Sequence, residues 1–236
     1  MEFMEYLKIK SVNLYSNLHL PDGRAKALVI VLHGIGEHGG CYDDFAKYLV
    51  SQSIAVFTYD QRGSGRSTGV RGHATVNALK NDLNHIIDKM QKKMPVLPII
   101  LFGHSMGGQI ALSYALDTGS VVQGVIASSP FIRLTHPPSA LWLKIAKWAS
   151  YIVPWLTINT GVRAEQLAEI SDKPKSIKKD PLLHKKVSIK FFTDLFANGE
   201  KILQNKPNHQ APILLMHGTI DALTSYHASK LFAKKK

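Results

Sequence analysis

Two short stretches of alternating polar and apolar residues open the chain. The first covers residues 6–9 and the second covers residues 12–20, with a polar break between them. Because side chains point to opposite faces of a sheet in turn along a strand, this alternation predicts two strands. We expect them to pair as an antiparallel hairpin.

Continuous apolar runs follow the hairpin and alternate with stretches of helical spacing. A strand inside a parallel sheet is covered on both faces, so its sequence is apolar throughout rather than alternating. The order of runs and helical stretches therefore predicts an α/β fold with a mostly parallel sheet. The predicted strands are 27–32, 55–59, 97–102, 122–127 and 212–216, and the predicted helices are 42–52, 76–92, 109–116 and a last one from 224 onward.

This alternation is interrupted between residues 131 and 206. Five prolines separate helix-like and irregular pieces there, at positions 137, 138, 154, 174 and 181. The pattern predicts a core of residues 1–130 and 207–236, with residues 131–206 inserted as a helical cap. One helix of the cap carries an apolar stripe that packs on the main domain or grips an apolar substrate. The stripe consists of Leu141, Trp142, Ile145, Trp148, Ala149 and Ile152.

A turn with the sequence GHSMGG joins the strand at 97–102 to the helix that follows it. Ser105 lies in this turn, two residues from Gly103 and two from Gly107. In a nucleophile elbow the serine adopts a strained backbone conformation, and only glycines at these positions leave room for the chain. The turn predicts Ser105 as a catalytic nucleophile, and the alternative is an ordinary glycine-rich loop.

Acyl transfer by serine also needs a base, an acid that orients the base, and N–H donors for the developing oxyanion. The loop HGIGEH follows the strand at 27–32 and offers the N–H of Ile35, which we expect to converge with that of Met106. His38 in the same loop is expected at the rim of the pocket. Asp221 follows the strand at 212–216, where the acid belongs in the order Ser, Asp, His.

Four motifs in this order and spacing resemble the monoglyceride lipase and lysophospholipase branch of the α/β-hydrolase superfamily, of the serine aminopeptidase S33 type. They are HGIGEHGG, DQRGSGRS, GHSMGG and HGTID, and the likeness extends through nearly all of the chain. The resemblance implies an α/β-hydrolase fold with a mobile cap over an apolar tunnel. It implies hydrolysis of monoacylglycerols or lysophospholipid-type single-chain esters, without a cofactor or a metal.

The resemblance also carries residue roles. It implies Ser105 as the nucleophile, Asp221 as the triad acid, and the N–H groups of Ile35 and Met106 as oxyanion donors. In the family, several residues near this loop hold the polar head of a glyceride, and this chain keeps one of them, Glu37. Glu37 and His38 are therefore the predicted substrate-binding residues.

Two positions depart from this family pattern. A basic residue commonly stands where this chain has Cys41, and a cysteine cannot hold a glyceride head in the same way. The triad histidine normally follows the acid after one more helix and one more strand, whereas fifteen residues follow Asp221 here. A helix of average length fills that stretch, and His227 would lie on it and point away from Ser105. We therefore expect the last strand and helix to be missing, and the activity to be impaired.

Charge and composition bound the partners and the location. Twenty-nine lysines and arginines against 17 acidic residues give a formal net charge of +12. We interpret the basic residues mainly as a solvated surface, with peripheral contact to an anionic membrane left open and no nucleic-acid-binding motif present. The absence of a signal-like leader and the single cysteine indicate a cytoplasmic protein. The clustered lysines are Lys173, Lys175, Lys178, Lys179, Lys185, Lys186 and Lys234 to Lys236.

Two other classes of function remain as alternatives to an ester hydrolase. The first is a protein that keeps the apolar pocket and binds a ligand without turnover. The second is a dinucleotide-dependent oxidoreductase, because Gly34, Gly36 and Gly39 form a GxGxxG pattern after a buried strand and Asp60 ends the next strand. That pattern is weak alone, and it leaves GHSMGG and HGTID unexplained.

Overall fold

The computed structural model describes residues 1–117, 121–160, 180–204 and 211–235. The strands are β1 (Glu2–Ile9), β2 (Val12–His19), β3 (Leu28–Leu32), β4 (Ala55–Tyr59), β5 (Ile99–His104), β6 (Gly124–Ser128), β7 (Thr157–Asn159), β8 (Lys186–Ser188) and β9 (Ile213–Met216). The α-helices are α1 (Asp43–Ser51), α2 (Val76–Lys93), α3 (Met106–Ala115), α4 (Ala140–Ile152), α5 (Ile189–Gln204) and α6 (Tyr226–Ala233).

Seven of these strands form one sheet in the order β1-β2-β4-β3-β5-β6-β9. The pairs β1–β2 and β2–β4 are antiparallel, and the remaining pairs are parallel. The predicted hairpin and the predicted parallel α/β sheet are therefore both confirmed. Since the carboxyl ends of β3, β5, β6 and β9 lie along one edge, the loops after these strands lie close to one another.

The buried strands explain why their sequences are apolar throughout. Every residue of β3 and β4 is buried, and alternate residues of β3 belong to two separate clusters. Leu28, Ile30 and Leu32 pack in the cluster that includes α2 and α3, whereas Val29 and Val31 pack in the cluster that includes α1. Helices thus cover both faces of the sheet, as the runs predict.

The chain leaves the sheet between β6 and β9. This stretch forms α4, a small antiparallel sheet of β7 and β8, and α5. We did not predict β7 and β8, because strands of three residues are too short to show an alternating pattern. Helix α5 packs on α4 and also reaches the core, where Gln109 Nε2 donates to Leu195 O over 2.8 Å. The predicted limits of the cap, residues 131–206, stay a prediction.

The apolar stripe of α4 faces outward rather than onto the main domain. Ala146 and Ser150 are the buried positions of this helix, while Trp148 is 68% exposed. Trp142 contacts Phe192 of α5 edge to face, with ring centres 5.4 Å apart. The other exposed apolar residues of the stripe are Leu141, Ile145 and Ile152.

The seating of α5 against the core gives a stability test. A Cβ atom on Gly199 would overlap with Ile132 O, whereas one on Gly124 of β6 would have its nearest neighbour at 3.8 Å. We expect Gly199→Ala to lower the free energy of unfolding by about 1–3 kcal/mol, despite the better helix propensity of alanine. Gly124→Ala should change it by less than about 1 kcal/mol. Urea unfolding measures both, and a stabilised Gly199→Ala variant would contradict this packing.

Candidate active site

Ser105 lies in a sharp turn between β5 and α3. Its φ is 52° and its ψ is −114°, a region that non-glycine residues rarely adopt. Hydrogen bonds hold this conformation from both sides. Ser105 N–H donates to Ser128 O at the end of β6 over 2.9 Å, and Ser105 O accepts from the N–H groups of Gln109 and Phe131.

The two glycines of the turn lie where the backbone approaches other backbone closely. A Cβ atom on Gly103 would overlap with Gly107 O, and a Cβ atom on Gly107 would overlap with Leu32 O at the end of β3. An ordinary glycine-rich loop needs neither this contact nor the positive φ of Ser105. The geometry is that of a nucleophile elbow, which presents a serine hydroxyl at the edge of the sheet.

The contact between Gly107 and Leu32 also brings the loop after β3 next to the elbow. Ile35 and Met106, the two predicted oxyanion donors, line one small cavity together with Gly36. Gly36 has a φ of 77° and turns the chain beside the elbow. The structure therefore brings together the two loops that the sequence predicts to converge, and the oxyanion role of their N–H groups stays a prediction.

Glu37 stabilises the conformation of this loop. Its Oε2 accepts the N–H of Gly34 over 2.7 Å and the hydroxyl of Tyr42 over 2.8 Å. Burial and the neighbouring carboxylate of Glu37 raise the pKa of Tyr42 well above its usual value, so Tyr42 remains a donor. Glu37 Oε1 has no hydrogen bond to the part of the chain that the structure describes. If Glu37 binds a substrate as predicted, Oε1 is the oxygen that remains to accept a hydrogen bond from it.

His38 contacts Asp180, a residue of the predicted cap segment. The residue is buried, and its Nε2 lies 2.9 Å from Asp180 Oδ2. Burial opposes ionisation of Asp180, but hydrogen bonds from His38 and from the N–H of Leu182 outweigh it and lower the pKa of this carboxyl. No local pattern predicted the role of Asp180, because it lies 142 positions from His38 in the chain. The substrate contact predicted for His38 stays a prediction.

Asp221 lies in the loop after β9, and its own loop binds the carboxylate. Oδ1 accepts the N–H groups of Leu223 and Thr224, and Oδ2 accepts the Thr224 hydroxyl over 2.9 Å. Burial opposes ionisation, but these hydrogen bonds outweigh it and lower the pKa of Asp221. His217 Nε2 lies 3.5 Å from Asp221 Oδ2.

Among the described residues, no imidazole forms a hydrogen bond with Ser105 Oγ. Both nitrogens of His217 have other partners, because Nε2 donates to Thr224 O and Nδ1 lies 2.8 Å from Ser229 Oγ. His33 is fully buried between Gly34 O and the N–H of Gln61, and burial lowers its pKa. His227 is exposed on α6, on the helix where the sequence predicts it.

The GxGxxG pattern has a structural role in this arrangement. Asp60 would bind a ribose in a dinucleotide site, but its Oδ1 accepts the N–H of Gly39 and its Oδ2 accepts the N–H of Arg66, each over 2.7 Å. Both carboxylate oxygens are thus used to hold the loops after β3 and β4. These hydrogen bonds therefore argue against a nucleotide fingerprint.

Comparisons with known proteins agree with this geometry. The family model described as serine aminopeptidase, S33 matches residues 23–236. A monoglyceride lipase of Rattus norvegicus is 32% identical over 214 residues, which cover 89% of this chain and 70% of that protein. The crystal structure of a Paleococcus ferrophilus monoacylglycerol lipase is 30% identical with a TM-score of 0.86, covering 94% of this chain and 84% of that chain. A soluble variant of the Saccharomyces cerevisiae monoglyceride lipase, in complex with a substrate analog, is 25% identical with a TM-score of 0.87, covering 98% and 81%.

The hydrogen bonds of Asp221 give a prediction that does not depend on catalysis. Thr224→Val removes the hydroxyl donor and keeps the N–H donor, so the pKa of Asp221 should rise toward the usual aspartate value. A lowered pKa stabilises the fold above the unfolded-state pKa, and that stability is lost as pH falls through the folded-state pKa. In Thr224→Val the stability that Asp221 contributes should therefore be smaller, and its loss should be complete at a higher pH.

The titration of the Asp221 carboxyl carbon by ¹³C NMR measures this shift directly, and urea unfolding in mildly acidic buffers measures the loss of stability. Thr193→Val is the matched control, since the Thr193 hydroxyl donates to Lys190 O within α5. An Asp221 pKa that is the same in the wild type and in Thr224→Val would refute the assignment of the hydroxyl as its donor.

Proposed function

The chain belongs to the serine aminopeptidase S33 family of α/β-hydrolases, and we propose from this premise that it hydrolyses monoacylglycerols or related single-chain lipid esters. The observation that carries the proposal is the strained Ser105, which the elbow holds beside the loop of Ile35. The substrate class rests on the relatives that are named monoglyceride lipases or monoacylglycerol lipases.

In the proposed reaction Ser105 Oγ attacks the ester carbonyl carbon while its proton passes to a base. The N–H groups of Ile35 and Met106 stabilise the oxyanion of the tetrahedral intermediate. This intermediate collapses to an acyl-enzyme as the proton is returned to the departing alcohol, and water then hydrolyses the acyl-enzyme by the same route. Asp221 would orient the base, and no described residue is assigned the role of the base itself.

A second candidate function is the binding of a lipid ester without turnover. It is favoured by one observation, namely that no imidazole of the described residues bonds to Ser105 Oγ while His217 is held by Thr224 and Ser229. Loss of a triad histidine costs about 10⁶-fold in turnover in a serine protease. The oxyanion loop and the pocket would still bind an ester in that case.

Glu37 and Cys41 are the residues that we consider for binding the polar head of the substrate. Glu37 Oε1 offers an acceptor for a hydroxyl group, and Cys41 stands close to it in the chain. Although Cys41 is exposed, partial desolvation raises the pKa of its thiol to about 11, so the thiol is neutral at neutral pH. A thiol carries no positive charge in either protonation state. We therefore propose that head-group selection rests on hydrogen bonds to Glu37 and not on a cationic donor at position 41.

A fluorophosphonate probe tests the nucleophile. We expect intact-protein mass spectrometry to show one adduct on the wild type, peptide mapping to place it on Ser105, and Ser105→Ala to abolish it. Ser51→Ala, which changes an exposed serine of α1, should label like the wild type. Release of fatty acid from a monoacylglycerol, abolished by Ser105→Ala, should accompany the labelling.

The two candidate functions give different results in this experiment. Binding of a non-hydrolysable monoacylglycerol ether without an adduct and without fatty-acid release would support the second candidate and refute the first. An adduct on another serine, unchanged by Ser105→Ala, would refute both assignments of the site.

We also propose that the exposed face of α4 contacts an anionic lipid surface. Apolar side chains cover this face and continue beyond the helix to Trp155 and Leu156, which are 61% and 50% exposed. Lys144 and Lys147 lie on the same exposed helix, and residues 131–160 contain no aspartate or glutamate. Aromatic and apolar side chains with interspersed lysines and no acidic residue are the composition of a helix that lies in a membrane interface.

Other basic residues could add to this attraction. Lys185 and Lys186, next to β8, are exposed, whereas Lys173, Lys175, Lys178 and Lys179 lie outside the described residues. The helices of the described ranges include none that is both long enough and apolar enough to span a bilayer. Contact through α4 would therefore be peripheral, and the cytoplasmic location stays a prediction.

Vesicle sedimentation tests this surface. Trp148→Asp should weaken binding to phosphatidylglycerol-containing vesicles by at least about ten-fold, because it removes a large exposed aromatic ring and adds a negative charge. Leu231→Asp is the matched control, since Leu231 is exposed on α6. Equal binding by the wild type and Trp148→Asp would exclude α4 as the contact surface.

A further inference from the structure

A small cavity lies beside the oxyanion loop and is lined by residues of both the core and the cap. Its lining includes Ile35, Met106 and Gln61 from the core and His184 from the segment that leads into β8. We propose that this cavity is a binding site for one structural water molecule, which accepts a hydrogen bond from His184 Nε2–H and donates one to Gln61 Oε1. The water would bridge the cap to the oxyanion loop, a positioning role that rests on the proposed function.

The hydrogen bonds of His184 determine which of its nitrogens carries the proton. His184 Nδ1 faces the N–H of Lys186 over 3.3 Å, and because an N–H can only donate, Nδ1 must accept. The proton of the neutral ring is therefore on Nε2. Burial lowers the pKa of His184 to about 4, and the charge of Arg71 acts in the same direction, so the ring is neutral at neutral pH. His184 Nε2 is a buried donor without a partner among the described protein groups.

Gln61 supplies the matching acceptor. Its Nε2 donates to His33 O over 2.8 Å, which fixes the orientation of the amide because a carbonyl oxygen can only accept. The other amide atom, Oε1, is buried and also lacks a hydrogen-bond partner in the described part of the protein. Gln61 itself is 1% exposed. One unpartnered donor and one unpartnered acceptor thus belong to two residues that line the same cavity.

The size of the cavity fits one water molecule. Its volume is about 10 Å³, close to the ~10–15 Å³ needed to hold one water. Buried waters form two to four hydrogen bonds to groups that are otherwise unsatisfied. A buried polar group without a partner destabilises the fold, so a bridging water removes this penalty at His184 and at Gln61 together.

The bridging water would stabilise the loop that carries Ile35, a predicted oxyanion donor. The N–H of His184 donates to Gly36 O over 3.0 Å, next to Ile35 in the chain. A Cβ atom on Gly36 would overlap with His184 O, so the two backbones are in close contact. Gln61 holds the start of the same loop, because its N–H donates to His33 Nε2 over 2.9 Å. The water would connect these two supports and restrict the movement of Ile35.

Two measurements test the water site without reference to catalysis. A crystal structure at about 1.5 Å resolution should show an ordered water within hydrogen-bond distance of both His184 Nε2 and Gln61 Oε1. Amide hydrogen exchange in the loop of Ile35 and Gly36 should become about five-fold faster in His184→Leu, which cannot donate to the water. His184→Gln places an N–H donor at a similar reach and should restore slow exchange.

His227→Leu is the matched control, because His227 is exposed on α6 and should leave the exchange rates unchanged. The proposal is overturned if the cavity holds no water, or if His184→Leu exchanges like the wild type while folded. If His184→Leu does not fold, His184→Gln and the crystal structure of the wild type still decide the question. A wild type that binds the water but fails to react with a fluorophosphonate would refute the proposed function and leave the water site intact.

Discussion

The close approach of α3 to β3 at Gly107 is the constraint on which the site depends. A side chain at Gly107 would overlap with Leu32 O, so the start of α3 can lie against the end of β3 only with glycine at this position. That contact places the elbow beside the loop of Ile35, and the hydrogen bond from Ser105 N–H to Ser128 O fixes it to β6. The positive φ of Ser105 is thereby held by three strands of the sheet.

The predicted cap segment contacts both the elbow and the loop of Ile35, because Phe131 N–H donates to Ser105 O and His184 N–H donates to Gly36 O. His38 pairs with Asp180, and Gly36 O accepts the N–H of His184, so two residues of one short loop contact one short segment of the cap. These contacts connect residues 180–184 to the loop that carries Ile35, a predicted oxyanion donor.

The sequence predicted those features that have a local pattern. Continuous apolar runs gave the buried strands, and the spacing of Gly103, Ser105 and Gly107 gave the elbow. Features that depend on contacts distant in the chain were not predictable. The pairing of His38 with Asp180 joins residues 142 positions apart. The binding of Glu37 Oε2 by Gly34 and Tyr42 needs a loop conformation that no spacing rule reports, and the outward face of α4 depends on where α5 packs.

We propose that the elbow presents Ser105 to two converging N–H donors, the backbone groups of Ile35 and Met106. A crystal structure of the protein treated with a long-chain phosphonate ester tests it most directly. We predict a covalent bond between Ser105 Oγ and phosphorus, with the phosphoryl oxygen about 2.7–3.1 Å from the backbone nitrogens of Ile35 and Met106. An adduct on a different residue, or a phosphoryl oxygen that contacts neither nitrogen, would contradict it.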